Sequence, residues 1–155
     1  MASKINASTL KVTLREEVKL NNKDQGSITT LSIDNINEVD SRIMTALSSS
    51  EQSLFKFSDT VSAGTFISSS FKYGRVTNMD DTYPVRLRVS SSVNNTGHMD
   101  FSINPGGSFL LTTTKVSGST TGTTNRTTQD FENITDVLVQ ASGSNVDVEY
   151  FIAST

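Results

Sequence analysis

Thr9-Leu10-Lys11-Val12-Thr13-Leu14-Arg15-Glu16-Glu17-Val18-Lys19-Leu20 is the stretch whose reading decides the fold. Leu10, Val12, Leu14, Val18 and Leu20 are apolar at the even positions, broken only by Glu16. Lys11, Thr13, Arg15, Glu17 and Lys19 fill the odd ones. A period of two is the mark of a β-strand with one buried face, because successive side chains leave a pleated backbone on opposite sides. A helix would need apolar residues three and four apart. Asn21-Asn22-Lys23-Asp24-Gln25-Gly26 follows as a turn, built from residues that tolerate positive φ. Ile28 to Ile33 returns as a second strand, so the pair reads as a hairpin.

The same rhythm continues outward. Leu54 to Phe57, Thr65 to Ile67 and Phe71 to Asn78 read as short strands. Tyr83 to Val89 alternates cleanly, with Pro84 marking its start as an edge or a point of entry. His98 to Ile103 places Met99, Phe101 and Ile103 inward. Asn104-Pro105-Gly106-Gly107 is a turn, and Phe109 to Thr113 resumes a strand. Ile134 to Ala141 and Val146 to Ile152 read as a closing hairpin around Ser142-Gly143-Ser144-Asn145. Only Asp34 to Leu47 is divided between two patterns. Ile36, Val39, Ile43, Met44 and Leu47 have near-helical spacing, while Val39, Ser41, Ile43 and Thr45 alternate. Its β-branched content favours an extended segment. About eight to ten short strands at sandwich-like spacing, with no βαβ rhythm, predict an all-β fold. The expected form is an antiparallel β-sandwich, of which the jelly roll is one arrangement. It would span residues 9–155, with a flexible arm over 1–8 and an exposed polar loop over 114–130.

Composition narrows the function. The chain has 155 residues, enough for one domain with a real core. It has no cysteine, which removes disulfides and thiolate metal sites. Thirteen basic against sixteen acidic residues give a net charge of -3, with no basic run to track phosphates. Nucleic acid is therefore not an expected partner. No window approaches the roughly 18 apolar residues of a membrane span, and the opening residues have no secretory apolar core. No membrane partner and a cytosolic site of synthesis are expected.

Candidate sites are few. His98 is the single histidine, and a histidine-based acid–base mechanism would need it. No nucleophile elbow accompanies it, and an exposed strand histidine is the simpler reading. Asp80 and Asp81 are adjacent, so on extended backbone they point apart, and a turn-forming role fits them better than Ca²⁺ binding or glycoside hydrolysis. Asn104 to Gly107 lacks the lysine and the helix of a phosphate loop. Four Asn-x-Ser/Thr triplets, at Asn6, Asn94, Asn125 and Asn133, are what a chain rich in Ser and Thr produces by chance. No catalytic, cofactor or metal site is expected. Tyr73, Arg75, Tyr83, Arg86 and Arg88 form an Arg/Tyr-rich stretch of the kind favoured at protein interfaces. With the 114–130 loop, they are the interaction candidates. The residues themselves point to a chain that works by binding other protein chains.

A resemblance sharpens this. The opening Met1-Ala2-Ser3-Lys4-Ile5-Asn6-Ala7-Ser8-Thr9-Leu10, then Leu14-Arg15-Glu16-Glu17-Val18-Lys19-Leu20, the turn ending in Gly26, and Ile36-Asn37-Glu38-Val39 carry its first part. Tyr73-Gly74-Arg75-Val76-Thr77-Asn78-Met79-Asp80-Asp81-Thr82 and the turn at Asn104 to Gly107 carry its second. In these stretches, roughly 1–45 and 64–111, the chain resembles small structural proteins of tailed bacteriophages, especially phages of aquatic bacteria. The resemblance implies a non-enzymatic virion component with a sandwich fold, made in the host bacterial cytoplasm. Many such proteins decorate or cement the capsid by binding the major capsid protein, often as trimers. Others are tail, baseplate or fibre parts that contact host-surface glycans. No site residue is implied by it.

Overall fold

The computed structural model describes residues 6–60, 62–91, 97–118 and 131–155. All regular structure among them is β, in fourteen strands. The chain divides into two compact units, residues 1–38 with Thr155, and residues 39–154.

The first unit is a two-stranded ribbon. Strand β1 (Ser8–Glu16) pairs antiparallel with β4 (Ser27–Ile36), and the short β2 (Lys19–Leu20) and β3 (Lys23–Asp24) pair at its turn end. The hairpin expected from the alternation is there. Asn21 and Asn22 take φ of 51° and 62° in the connection, the left-handed region that Asn tolerates better than other side chains. Gly26 passes so close to Glu16 that a Cβ would stand 2.1 Å from its carbonyl oxygen. The hairpin was expected to belong to the sandwich with its apolar face buried. Instead β1 and β4 form a sheet of their own, and Leu14 and Leu31 are 55% and 46% exposed.

The second unit is the β-sandwich. Its larger sheet has the order β10 (His98–Ile103), β9 (Val85–Ser91), β13 (Phe131–Ala141), β6 (Gln52–Ser58), β7 (Thr65–Ile67), with β12 (Lys115–Gly118) beside β13. Its smaller sheet has the order β11 (Ser108–Leu111), β8 (Phe71–Asn78), β14 (Val146–Ser154), β5 (Glu38–Ala46). All pairings given in register are antiparallel except β6 with β7. The core lies between the sheets. Val85, Leu87, Val89, Val137 and Val139 line it from the larger sheet, and Val76, Val148, Tyr150 and Ile152 from the smaller. Ring pairs bridge the layers: Phe57 with Phe71 at 5.0 Å, Phe55 with Tyr150 at 5.7 Å, and Phe101 with Phe109 at 4.8 Å. Each fully buried side chain of this size contributes roughly 1.5–3 kcal/mol by leaving water.

One divided reading is decided, and two expectations need correction. The segment after Asp34 is extended as its β-branched content favoured, in the end of β4 and in β5 (Glu38–Ala46), with Asn35 alone at a positive φ of 64°, and the helical alternative falls. The last two strands are not a hairpin. β13 pairs with β9 and β6, β14 pairs with β8, and the turn at 142–145 carries the chain from one sheet to the other. The 114–130 loop is shorter than expected, because Lys115–Gly118 pairs with β13, and Thr114 is buried with its hydroxyl donating to the Ser68 carbonyl. Residues 119–130 of that loop, and residues 1–5 of the expected arm, lie outside the described residues.

Candidate functional site

The five interaction candidates do not converge. Alternation along β8 sends Val76 into the core and Arg75 to the outer face of the smaller sheet. Alternation along β9 sends Leu87 inward and Arg86 and Arg88 to the outer face of the larger sheet. Tyr83 lies between the two strands, its ring against Gly143. One contiguous sequence stretch is thus split across opposite faces, as a strand pair that changes sheets requires.

On the larger sheet the outer face is polar and self-neutralised. Register aligns Asp100 with Arg88 and Ser102 with Arg86 on β10 and β9. The Arg88 guanidinium donates to both Asp100 oxygens, at 2.7 and 2.9 Å, and pairs with Glu51 at 2.7 Å. Arg86 pairs with Glu51 and donates to the Gln140 amide oxygen, with Asp100 at 3.7 Å. The hydrogen bond from Arg88 holds the Asp100 carboxyl below its ordinary range and raises Arg88 in turn. Beside this network is a shallow depression of about 340 Å³, which includes Glu51, Arg88, Ser90, His98, Thr135 and Asp136 in its lining. Asp136 accepts from the Ser53 hydroxyl at 2.6 Å and faces the Lys56 ammonium at 3.8 Å. Both arginines are therefore engaged within their own sheet, and little charge is left over to recruit an outside anion.

The outer face of the smaller sheet differs. Arg75 is ion-paired with Glu149 and donates to Thr77 at 2.7 Å. Tyr73 is buried and stacks on Phe151 with ring centroids 6.1 Å apart. Burial raises its phenol pKa, opposed by the Arg75 charge. Leu110 stands opposite Arg75 and is 48% exposed. Along β5, Met44 and Ala46 turn to the core, which sends Val39 and Ile43 outward, 53% and 57% exposed. The composition of β5 gave no sign of this, since Val39 and Ile43 look like core residues until Met44 and Ala46 are seen to occupy the inner side.

The turn at Asn78 to Tyr83 is built by its own side chains. Asn78 is fully buried and donates to the carbonyls of Tyr83 (2.9 Å) and Ile103 (3.1 Å), while accepting from the Asp80 amide at 3.0 Å. The Asp80 carboxylate accepts from the amides of Thr82 and Tyr83, both at 2.7 Å, which lowers its pKa. Asp81 accepts from the Thr82 hydroxyl. The two carboxylates thus serve the turn separately. No group of three His, Asp or Glu side chains positioned to hold a metal occurs among the described residues. His98 is exposed on β10, as its place in the alternation required.

Taken together, these observations define an all-β sandwich with one ion-paired face, one apolar-studded face, and a separate two-stranded ribbon. No family model matches the chain, and no curated protein or solved structure proves similar to it.

Proposed function

We propose that this chain is a non-enzymatic structural protein of a virion, a capsid decoration or cement protein that binds the lattice of the major capsid protein. The observation that carries the reading is the outer face of the smaller sheet, where Val39, Ile43 and Leu110 stand exposed around the Arg75–Glu149 pair. Exposed apolar side chains rimmed by polar groups are the surface chemistry of protein–protein contact. The opposite face, with its charges already paired, is suited to solvent. A small sandwich docked by one face across the seam between shell subunits binds only the assembled lattice. It stabilises that lattice by mass action. The sequence resemblance to phage structural proteins supports the same reading.

Co-sedimentation with capsid shells lacking this protein tests it. Saturable binding is expected, at a copy number set by shell symmetry and with a higher temperature of shell rupture. The double variant Ile43→Glu/Leu110→Glu is expected to lose binding at least tenfold, about 1.4 kcal/mol, while keeping its near-ultraviolet circular dichroism. Absence of binding to shells would overturn the capsid assignment and turn attention to the tail.

A further inference from the structure

The smaller sheet ends in a long open edge. In the order β11, β8, β14, β5, the last strand has β14 on one side and, among the described residues, no strand on the other. An open edge presents a row of unpaired backbone N–H and C=O groups, and chains commonly guard it with Pro, with Lys or by keeping the strand very short. β5 runs for nine residues, Glu38–Ala46, with neither Pro nor Lys. The edge strands β7 and β11 have only three and four residues. β10 has six, and its one acidic charge, Asp100, is already held by Arg88.

We propose that this edge pairs antiparallel with the same edge of a second copy of the chain, across a two-fold axis at Ser41. Val39-Asp40-Ser41-Arg42-Ile43 reads apolar, acidic, small, basic, apolar, which is complementary to its own reverse. The axis sets Asp40 opposite the partner's Arg42 and Val39 opposite the partner's Ile43, each pair made twice, with Ser41 opposite its own copy. Opposite charges and β-branched pairs placed directly across a ladder stabilise it. The charges are there to be used. Arg42 is exposed and makes no ion pair among the described residues. Asp40 accepts from the Tyr150 hydroxyl at 2.8 Å through Oδ2 alone.

Register follows from the same residues. Moving the axis one residue back sets Asp40 against its own copy, and one residue forward sets Arg42 against its own copy; like charges directly opposite destabilise a ladder. Only the axis at Ser41 pairs every charge of this stretch with its opposite. An axis perpendicular to the sheet keeps the core sides of both copies on one side, so two four-stranded sheets continue as one of eight. Val39 and Ile43 of both copies then lie together on its outer face. Main-chain hydrogen bonds supply the affinity in strand addition of this kind, and the side chains supply the choice of partner.

Charge exchange tests it. Sedimentation equilibrium of the full unmodified chain at about 200 µM, where the micromolar affinity of a small interface populates the dimer, is expected to show a mass approaching twice 16.8 kDa. Arg42→Asp sets two carboxylates against each other and Asp40→Arg sets two guanidinium groups, so each variant alone is expected to associate at least tenfold more weakly. Mixed in equal amounts, the two variants restore both Asp–Arg pairs and are expected to associate as the unmodified chain does, a recovery that no folding defect in either variant can produce. The chain has no cysteine, so Ser41→Cys, on the axis, is expected to form a disulfide-linked dimer under mild oxidation. Thr45→Cys, on the same side of the strand but about 27 Å from its own copy, is expected not to. A monomeric unmodified chain, single variants that associate undiminished, a mixture that associates no better than its components, or equal cross-linking by the two cysteine variants would overturn the proposal. The free chain alone is used, so the result does not depend on whether the chain binds a shell.

Discussion

At the scale of single residues, Asn78 does what no apolar side chain of its size could. It is sealed from solvent, yet it satisfies two carbonyls and one amide at the end of β8. Removing the amide leaves the Tyr83 and Ile103 carbonyls without these partners, and an orphaned buried polar group costs about 1–3 kcal/mol. Asn78→Ala is therefore expected to lower stability by about 3 kcal/mol, read from the midpoint of a urea titration. The Asp100–Arg88 pair gives a second case. Because Arg88 holds the Asp100 carboxyl below its ordinary value, the unfolded chain binds that proton at higher pH than the folded one. The stabilisation is complete above the unfolded value near 4 and is lost as pH falls through the depressed folded value. Asp100 is 34% exposed in its side chain, so solvent screening limits the effect to about 1 kcal/mol. Asp100→Asn is expected to lose that amount at pH 7 and to flatten the acid limb of stability against pH. The presence of a turn was legible around Asp80, from Asp, Asp and Thr in succession. The buried role of Asn78 was not, because its partners Tyr83 and Ile103 come from two other places in the chain.

At the scale of elements, alternation identified nearly every strand. Phe71 to Asn78 and His98 to Ile103 were bounded correctly from the sequence, and Val85 starts its strand just after Pro84, where the missing amide allows a ladder to begin. What alternation cannot report is what covers the apolar side. Leu10, Val12 and Leu14 have the same pattern as Leu87 and Val89, yet Leu14 is exposed and Leu87 is in the core. The pattern also cannot say which sheet a strand enters, which is why β13 and β14 resembled a hairpin. The Arg/Tyr stretch is divided between two faces for the same reason: adjacency in sequence across a sheet-changing connection is separation in space. Gly26 supplies the test at this scale. A methyl group there would run into the Glu16 carbonyl, so Gly26→Ala is expected to open the turn end of the ribbon. Faster hydrogen exchange, by about tenfold or more, is expected at the amides of β1 and β4, with β9 and β13 unchanged.

At the scale of the whole molecule, the sandwich holds its most buried strands in the middle of each sheet. β13 runs between β9 and β6, and β14 between β8 and β5. Val137, Val139, Val148 and Ile152 are essentially removed from water. Both of these central strands lie beyond residue 130. The order in which a ribosome delivers the chain therefore matters. When residue 130 has been added, each sheet is two separated halves with an open slot, and neither core layer can close. The ribbon, whose strands lie next to each other in sequence, pairs only residues already made by then. Translation delivers the ribbon before the strands that close the sandwich, so its ladder can form while both slots are still open.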